Sequence, residues 1–161
     1  MINLGTKKLG TPGWRNQKTL SDETLKNIYG EEAQQYFTQN NSTPFVFSDS
    51  KSFDLIELEQ LLQAVGWGRR PLRRVKRALA NSLLKVGLWQ HDPKFPRLIG
   101  FARCTGDGVI DATIWDVANN PVYQGYGLGK KLMSYLMRTL KREGISRVTL
   151  FADSDVITFY K

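Results

Sequence analysis

The chain has 161 residues, 41% of them hydrophobic and 24% charged, with a formal net charge of +8. That length suits one domain with a buried core, and the balance is that of an ordinary globular protein. No apolar run approaches the ~18 residues of a membrane helix, and Met1–Gly5 has neither the apolar segment nor the cleavage site of a secretory leader. The basic excess suits an anionic partner, whether a phosphate-bearing group, nucleic acid or an acidic surface.

Residues 1–18 hold Lys7, Lys8, Arg15 and Lys18 without an acid, punctuated by Gly5, Gly10, Pro12 and Gly13, and read as a flexible basic arm. A short helix falls within Asp22 to Phe37, so the division is residues 1–43 as arm and helix, then 44–161 as the domain. Phe45-Val46-Phe47 reads as a first strand. Asp54-Leu55-Ile56-Glu57 fits a capping box, and Leu55, Leu58, Leu61, Leu62 and Val65 continue at helical spacing until Gly66 and Gly68. Pro71 opens a second helix that exposes Arg73, Arg74, Lys76 and Arg77. Leu83 to Gln90 is strand-like, with His91-Asp92-Pro93 as its turn. Leu98–Thr105 and Val109–Val117, joined by Gly106-Asp107-Gly108, read as an antiparallel hairpin. Leu128, Leu132, Leu136 and Leu140 form an i, i+4 stripe on a helix to Glu143, capped by Gly144. Arg147–Ala152 is a strand, and a last helix begins near Ser154.

Cys104, the single cysteine, excludes an internal disulfide and fits a reducing compartment; inside a strand it reads as core. His91 is the only histidine, and no Cys/His/Asp cluster has metal-ligand spacing, so neither a His-based triad nor a metal site is expected. The turn Gln124-Gly125-Tyr126-Gly127-Leu128-Gly129 lies between a strand and the long helix. Glycines there let backbone N–H groups approach a phosphate, and the helix N-terminus adds partial positive charge. The spacing is not the G-x-G-x-x-G of a dinucleotide fold, and Gly129-Lys130-Lys131 lacks the Ser/Thr of a P-loop.

Gln124, Gly127 and Gly129 match the Gln/Arg-x-x-Gly-x-Gly/Ala pattern of GNAT acetyltransferases, in the same order of elements. Gly66-Trp67-Gly68-Arg69-Arg70-Pro71, Leu98-Ile99-Gly100-Phe101-Ala102-Arg103, Ala112-Thr113-Ile114-Trp115-Asp116-Val117 and Leu150-Phe151-Ala152-Asp153-Ser154 further resemble the cyanobacterial and chloroplast branch of that superfamily. Plant members of this branch are described as serotonin (arylalkylamine) N-acetyltransferases and as acetylases of protein lysines and N-termini. The resemblance spans residues 45–161 and implies an α/β fold, mainly antiparallel, its sheet splayed between the fourth and fifth strands. It also implies location in a cyanobacterial cytoplasm or plastid stroma. In this family a further strand pair follows the last helix, so a longer chain than one ending at Lys161 is expected.

The resemblance implies direct acetyl transfer from acetyl-CoA to an amine, either a small arylalkylamine or a protein lysine or N-terminus. Gln124, Gly125, Tyr126, Gly127, Leu128, Gly129 and Lys130 are then the pyrophosphate site, and the N–H of Val117 or Ala118 polarises the thioester. Alternation puts Asp116 on the face of Ile110, Ala112 and Ile114, at a strand end beside Asp153; two neighbouring carboxylates raise one pKa and suit a base. Asp153 can equally cap the last helix. Tyr160 matches the family tyrosine that protonates the leaving sulfur, or is a core aromatic beside Phe159. Trp67 and Trp115 wall an aromatic acceptor or belong to the core. Two other readings stand beside this one: a GNAT-shaped subunit that docks in an assembly without turnover, and a basic nucleic-acid-binding module.

Overall fold

The computed structural model describes residues 19–38, 43–152, 154 and 157–160; the basic arm and Asp153 lie outside the described residues. Helix α1 (Asp22–Tyr29) starts at Ser21, whose hydroxyl accepts the Thr24 N–H, and ends at Gly30. Strands β1 (Gln34–Tyr36) and β2 (Phe45–Ser48) follow, then helices α2 (Leu55–Ala64) and α3 (Leu72–Ala80). Strands β3 (Leu84–Gln90), β4 (Arg97–Gly106) and β5 (Asp111–Asn119) lead into α4 (Leu128–Arg142), β6 (Arg147–Leu150) and the short α5 (Ile157–Tyr160).

The six strands form one sheet in sequence order, antiparallel from β1 to β5 and parallel between β5 and β6. The parallel pairing is in register only from Asp111–Arg147 to Ile114–Leu150. Trp115–Asn119 therefore have no register partner on that side among the described residues, which is the splay expected between the fourth and fifth strands, here β5 and β6 because β1 is not among the strands expected from the sequence.

Strand alternation sends side chains to two cores. Against α4 lie Phe45, Phe47, Val86, Leu88, Ala102 and Cys104, met by the buried stripe Leu128, Leu132, Leu136 and Leu140. The opposite face carries Val46, Trp89, Leu98 and Phe101 against α1, α2 and Val75 of α3. Burial pushes the Cys104 thiol up to about 12, so it is a core residue with little thiolate.

Packing runs across residue 43: Leu25 and Tyr29 are core residues, and β1 is an edge of the same sheet. Three local expectations need correction. Pro71 stands one position before the helix, as the N-cap of α3. The capping box at Asp54 is half made. Asp54 accepts the Glu57 N–H at 2.9 Å, but the Glu57 carboxylate accepts the backbone N–H of Leu98 and so ties α2 to the start of β4. His91 is buried and bonded to the Tyr29 hydroxyl at 2.7 Å, which anchors α1 to the end of β3.

Candidate active site

Helix α4 begins differently from α1 and α2. Those carry a side-chain cap and acids in the first turn: Ser21 with Asp22 and Glu23, Asp54 with Glu57. The α4 N-cap is Gly127, in left-handed conformation at φ 71°, with no capping side chain and no acid in the first turn. Lys130 and Lys131 stand there instead, a placement the helix dipole disfavours unless an anion is present. A Cβ added at Gly125 or Gly127 would meet nothing within 4 Å, whereas at Gly129 it would come within 2.9 Å of the Phe159 ring. The first two glycines therefore leave open space above the free amides, and the third lets α5 lie against the helix start. A diphosphate fits such a cradle.

The sequence expectations on this turn divide. Gln124 is exposed and closes a single 3₁₀ turn, Pro121–Tyr123, while Leu128 is buried beneath α4. Tyr126 is half-buried in an aromatic group with Phe45 and Tyr123. Lys130 is exposed, and Lys131 lies 5.0 Å from the centre of the Tyr36 ring. Phe159 brings Tyr160 to this end of the molecule, the two rings edge-to-face at 4.9 Å. Burial raises the Tyr160 pKa, so the phenol is protonated at neutral pH.

Strand β5 departs from the pleat at Asp116. Between the pairs Phe101–Ala118 and Arg103–Trp115, the single residue Ala102 faces both Asp116 and Val117. This is a β-bulge, and Asp116 takes φ 56°, the only positive φ at a non-glycine among the described residues. Such a conformation costs an ordinary residue on the order of 1–3 kcal/mol and persists where neighbours hold it. Here two arginines do so. Arg70, from the loop before α3, donates both terminal nitrogens at 3.1 Å, and Arg103 of β4 donates Nε at 2.7 Å.

The bulge overturns two expectations. Asp116 does not share the face of Ala112 and Ile114, which pack under α4; it meets Arg103 on the α2–α3 side. The extra residue reverses the alternation, as a one-residue slip must. Its pKa is not raised either. Burial pulls it up, but the hydrogen bonds from Arg70 and Arg103 and their charges outweigh that, and the carboxyl stands below the usual range. A carboxylate so held is a weak base.

Beside this triad a cavity of about 460 Å³ opens between α2, α3 and the sheet. Leu58, Leu62, Val75 and Phe101 form apolar wall, and Arg70, Arg74, Arg103 and Asp116 form the polar part. Trp67 lies beneath the Arg70 guanidinium at 5.9 Å. Trp115 donates its indole N–H to Thr105 at 2.8 Å and stacks on Phe151, which is 71% exposed. Val117 is half-buried against the α4 core, Ala118 buried against the other, both on the stretch of β5 that has no register partner in β6 among the described residues. Sequence reasoning missed Arg70 and Arg103. The available signal was Arg103 itself, a cation inside an apolar strand segment.

With the splayed sheet and the uncapped glycine turn in place, the class follows: the chain belongs to the acetyltransferase (GNAT) family, whose model matches residues 52–161. It is 63% identical over 158 residues to an uncharacterized ycf52-like N-acetyltransferase of Prochlorococcus marinus, covering 98% of this chain and 87% of that one. The chloroplastic GCN5-related N-acetyltransferase 2 of Arabidopsis thaliana is 39% identical over 132 residues, covering 72% of this chain and 51% of that protein. A solved structure of a GNAT-family acetyltransferase from Streptococcus pneumoniae superposes with a TM-score of 0.59 at 25% identity, over 72% of this chain and 83% of that one. The described residues include no helix long and apolar enough to cross a membrane and no cluster of potential metal ligands.

Proposed function

We propose that this acetyltransferase moves an acetyl group from acetyl-CoA to a primary amine by direct attack, with pyrophosphate on the α4 turn and the acceptor in the arginine-lined cavity. The observation that carries the reading is the glycine-opened N-terminus of α4, where Gly125 and Gly127 leave open space above amides that no side chain caps. Acetyl-CoA supplies the acyl group as a thioester. The amides from Gly125 to Lys130 bind the phosphates, while Gln124 and Tyr126 flank them. The N–H of Val117 or Ala118 polarises the thioester carbonyl from the unpaired edge of β5. Tyr160, kept protonated by burial, holds a proton for the departing sulfur.

Asp116 orders Arg70 and Arg103 rather than taking the acceptor's proton, because both guanidiniums favour its ionised form. The proton then leaves to water, and the arginines favour the neutral, reactive amine by disfavouring a nearby ammonium. Trp67 and Trp115 flank the acceptor. The compartment that suits this reading is a cyanobacterial cytoplasm or plastid stroma. Calorimetry with acetyl-CoA, followed by mass spectrometry of an amine mixture incubated with the enzyme, tests it. Stoichiometric binding and acetylated products are expected; a folded protein that binds no acetyl-CoA removes the phosphate assignment.

A further inference from the structure

The cavity beside Asp116 is not electrically balanced. Three guanidiniums, from Arg70, Arg74 and Arg103, meet one carboxylate among its lining residues. Asp116 engages both terminal nitrogens of Arg70 and the Nε of Arg103. The remaining described contact of Arg103 is a long one, 3.4 Å from a terminal nitrogen to the Ser82 hydroxyl. Arg74 has no ion pair among the described residues. Arg103 is the partly buried cation of the three, its side chain 19% exposed, while Arg74 is exposed at the cavity rim; guanidinium edges match a carboxylate in shape and charge. The volume, about 460 Å³, falls in the range of roughly 300–1,000 Å³ that takes small molecules.

We propose that the acceptor is an amine bearing a carboxylate of its own, bound by Arg74 and the free edge of Arg103 while its apolar part lies along Leu58, Leu62 and Phe101. This rests on the acetyl-transfer reading above. The same charge excess serves the chemistry. An ammonium beside unmatched guanidiniums loses its proton more readily, and the carboxylate anchors a molecule that the field would otherwise repel. An amine without an anion has no such compensation. The chemistry has two sources, a free apolar amino acid or a peptide N-terminus next to an acidic residue.

The experiment follows CoA release by the full chain at saturating acetyl-CoA, using matched acceptors. Phenylalanine is compared with phenylalaninamide, and a peptide with Asp in second position with its Asn counterpart. A kcat/KM at least tenfold higher for the carboxylate member of one pair is expected, and the pair that shows it identifies the source. Amine basicity alone predicts the reverse for the first pair, because the amide's less basic amine is more often neutral. Arg74→Gln, at an exposed position, should abolish most of that preference, chiefly by raising KM for the acid. Equal or better use of the neutral member in both pairs overturns the proposal and leaves acetyl transfer standing. So does a preference that survives both Arg74→Gln and Arg103→Gln. If acetyl-CoA binds and no amine is acetylated, this proposal and the acetyl-transfer reading fail together.

Discussion

The two faces of the sheet present positive charge by different means. At the start of α4 it comes from the backbone: amides freed by Gly125 and Gly127, open to solvent, with no side-chain cap. On the α2–α3 face it comes from guanidiniums brought from a loop and a strand, held on the one carboxylate that the β5 bulge turns toward them. A backbone site depends on turn geometry and tolerates little variation at its glycines. A side-chain site can be recut by a few substitutions with the fold unchanged. This suits a division in which the donor is fixed and the acceptor differs among relatives of one fold.

If the guanidinium site is organised by Asp116, Asp116→Asn should have the largest effect, lowering kcat/KM on the order of 10²-fold with acetyl-CoA affinity within about twofold, because both arginines lose their anchor. The pH–rate profile sharpens this. The Asp116 pKa is depressed, so its carboxylate stays ionised as pH falls through the usual carboxylate range, and its contribution disappears only below that range. The acidic limb above pH 5 should therefore persist in Asp116→Asn. Its disappearance would return the role of base to this residue.

The backbone site is tested by Gly127→Val. A β-branched residue strained at φ 71° should weaken acetyl-CoA binding by about tenfold or more, roughly 1.4 kcal/mol, measured by calorimetry on protein shown to be folded by circular dichroism. Unchanged affinity would mean that these amides do not meet phosphate. Tyr160→Phe, next in size, should lower kcat about tenfold and leave acetyl-CoA affinity alone; full activity would make the residue a packing aromatic beside Phe159. The smallest effect is expected from Lys130→Ala. If backbone amides carry most of the phosphate binding, this exposed lysine contributes about threefold, and the loss should fade at high salt. A loss larger than that of Gly127→Val would invert the contrast between the two faces.

Much of the fold was legible because its signals are local. The Leu128-Leu132-Leu136-Leu140 stripe is a helical period, and all four leucines are buried against the sheet. Gly106-Asp107-Gly108 reads as a turn because Asp107 accepts the N–H groups of Val109, Ile110 and Asp111. That same clasp keeps Val109 and Ile110 out of β5, two residues later than the apolar pattern suggested. In the segment 19–38 the helix was legible, α1 (Asp22–Tyr29) falling inside the expected span, but β1 was not. The pairing of β1 with β2 and the Tyr29–His91 bond join residues distant in sequence, and no local pattern announces either.

The sequence by itself determined the turn at which we propose the donor binds. A glycine-opened strand-to-helix turn, with a leucine stripe behind it, needs only neighbouring residues to take its shape, and the motif carries its chemistry in the backbone. The tertiary structure decided the face proposed for the acceptor. Whether Asp116 faces α4 or α3 depends on one extra residue opposite Ala102, and alternation without that bulge gives the wrong face. Its partners lie 46 and 13 positions earlier in the chain, and they convert a prospective base into a weakly basic anchor for two cations. The fold brings those three charges within hydrogen-bonding distance, and it is that proximity which sets their ionisation.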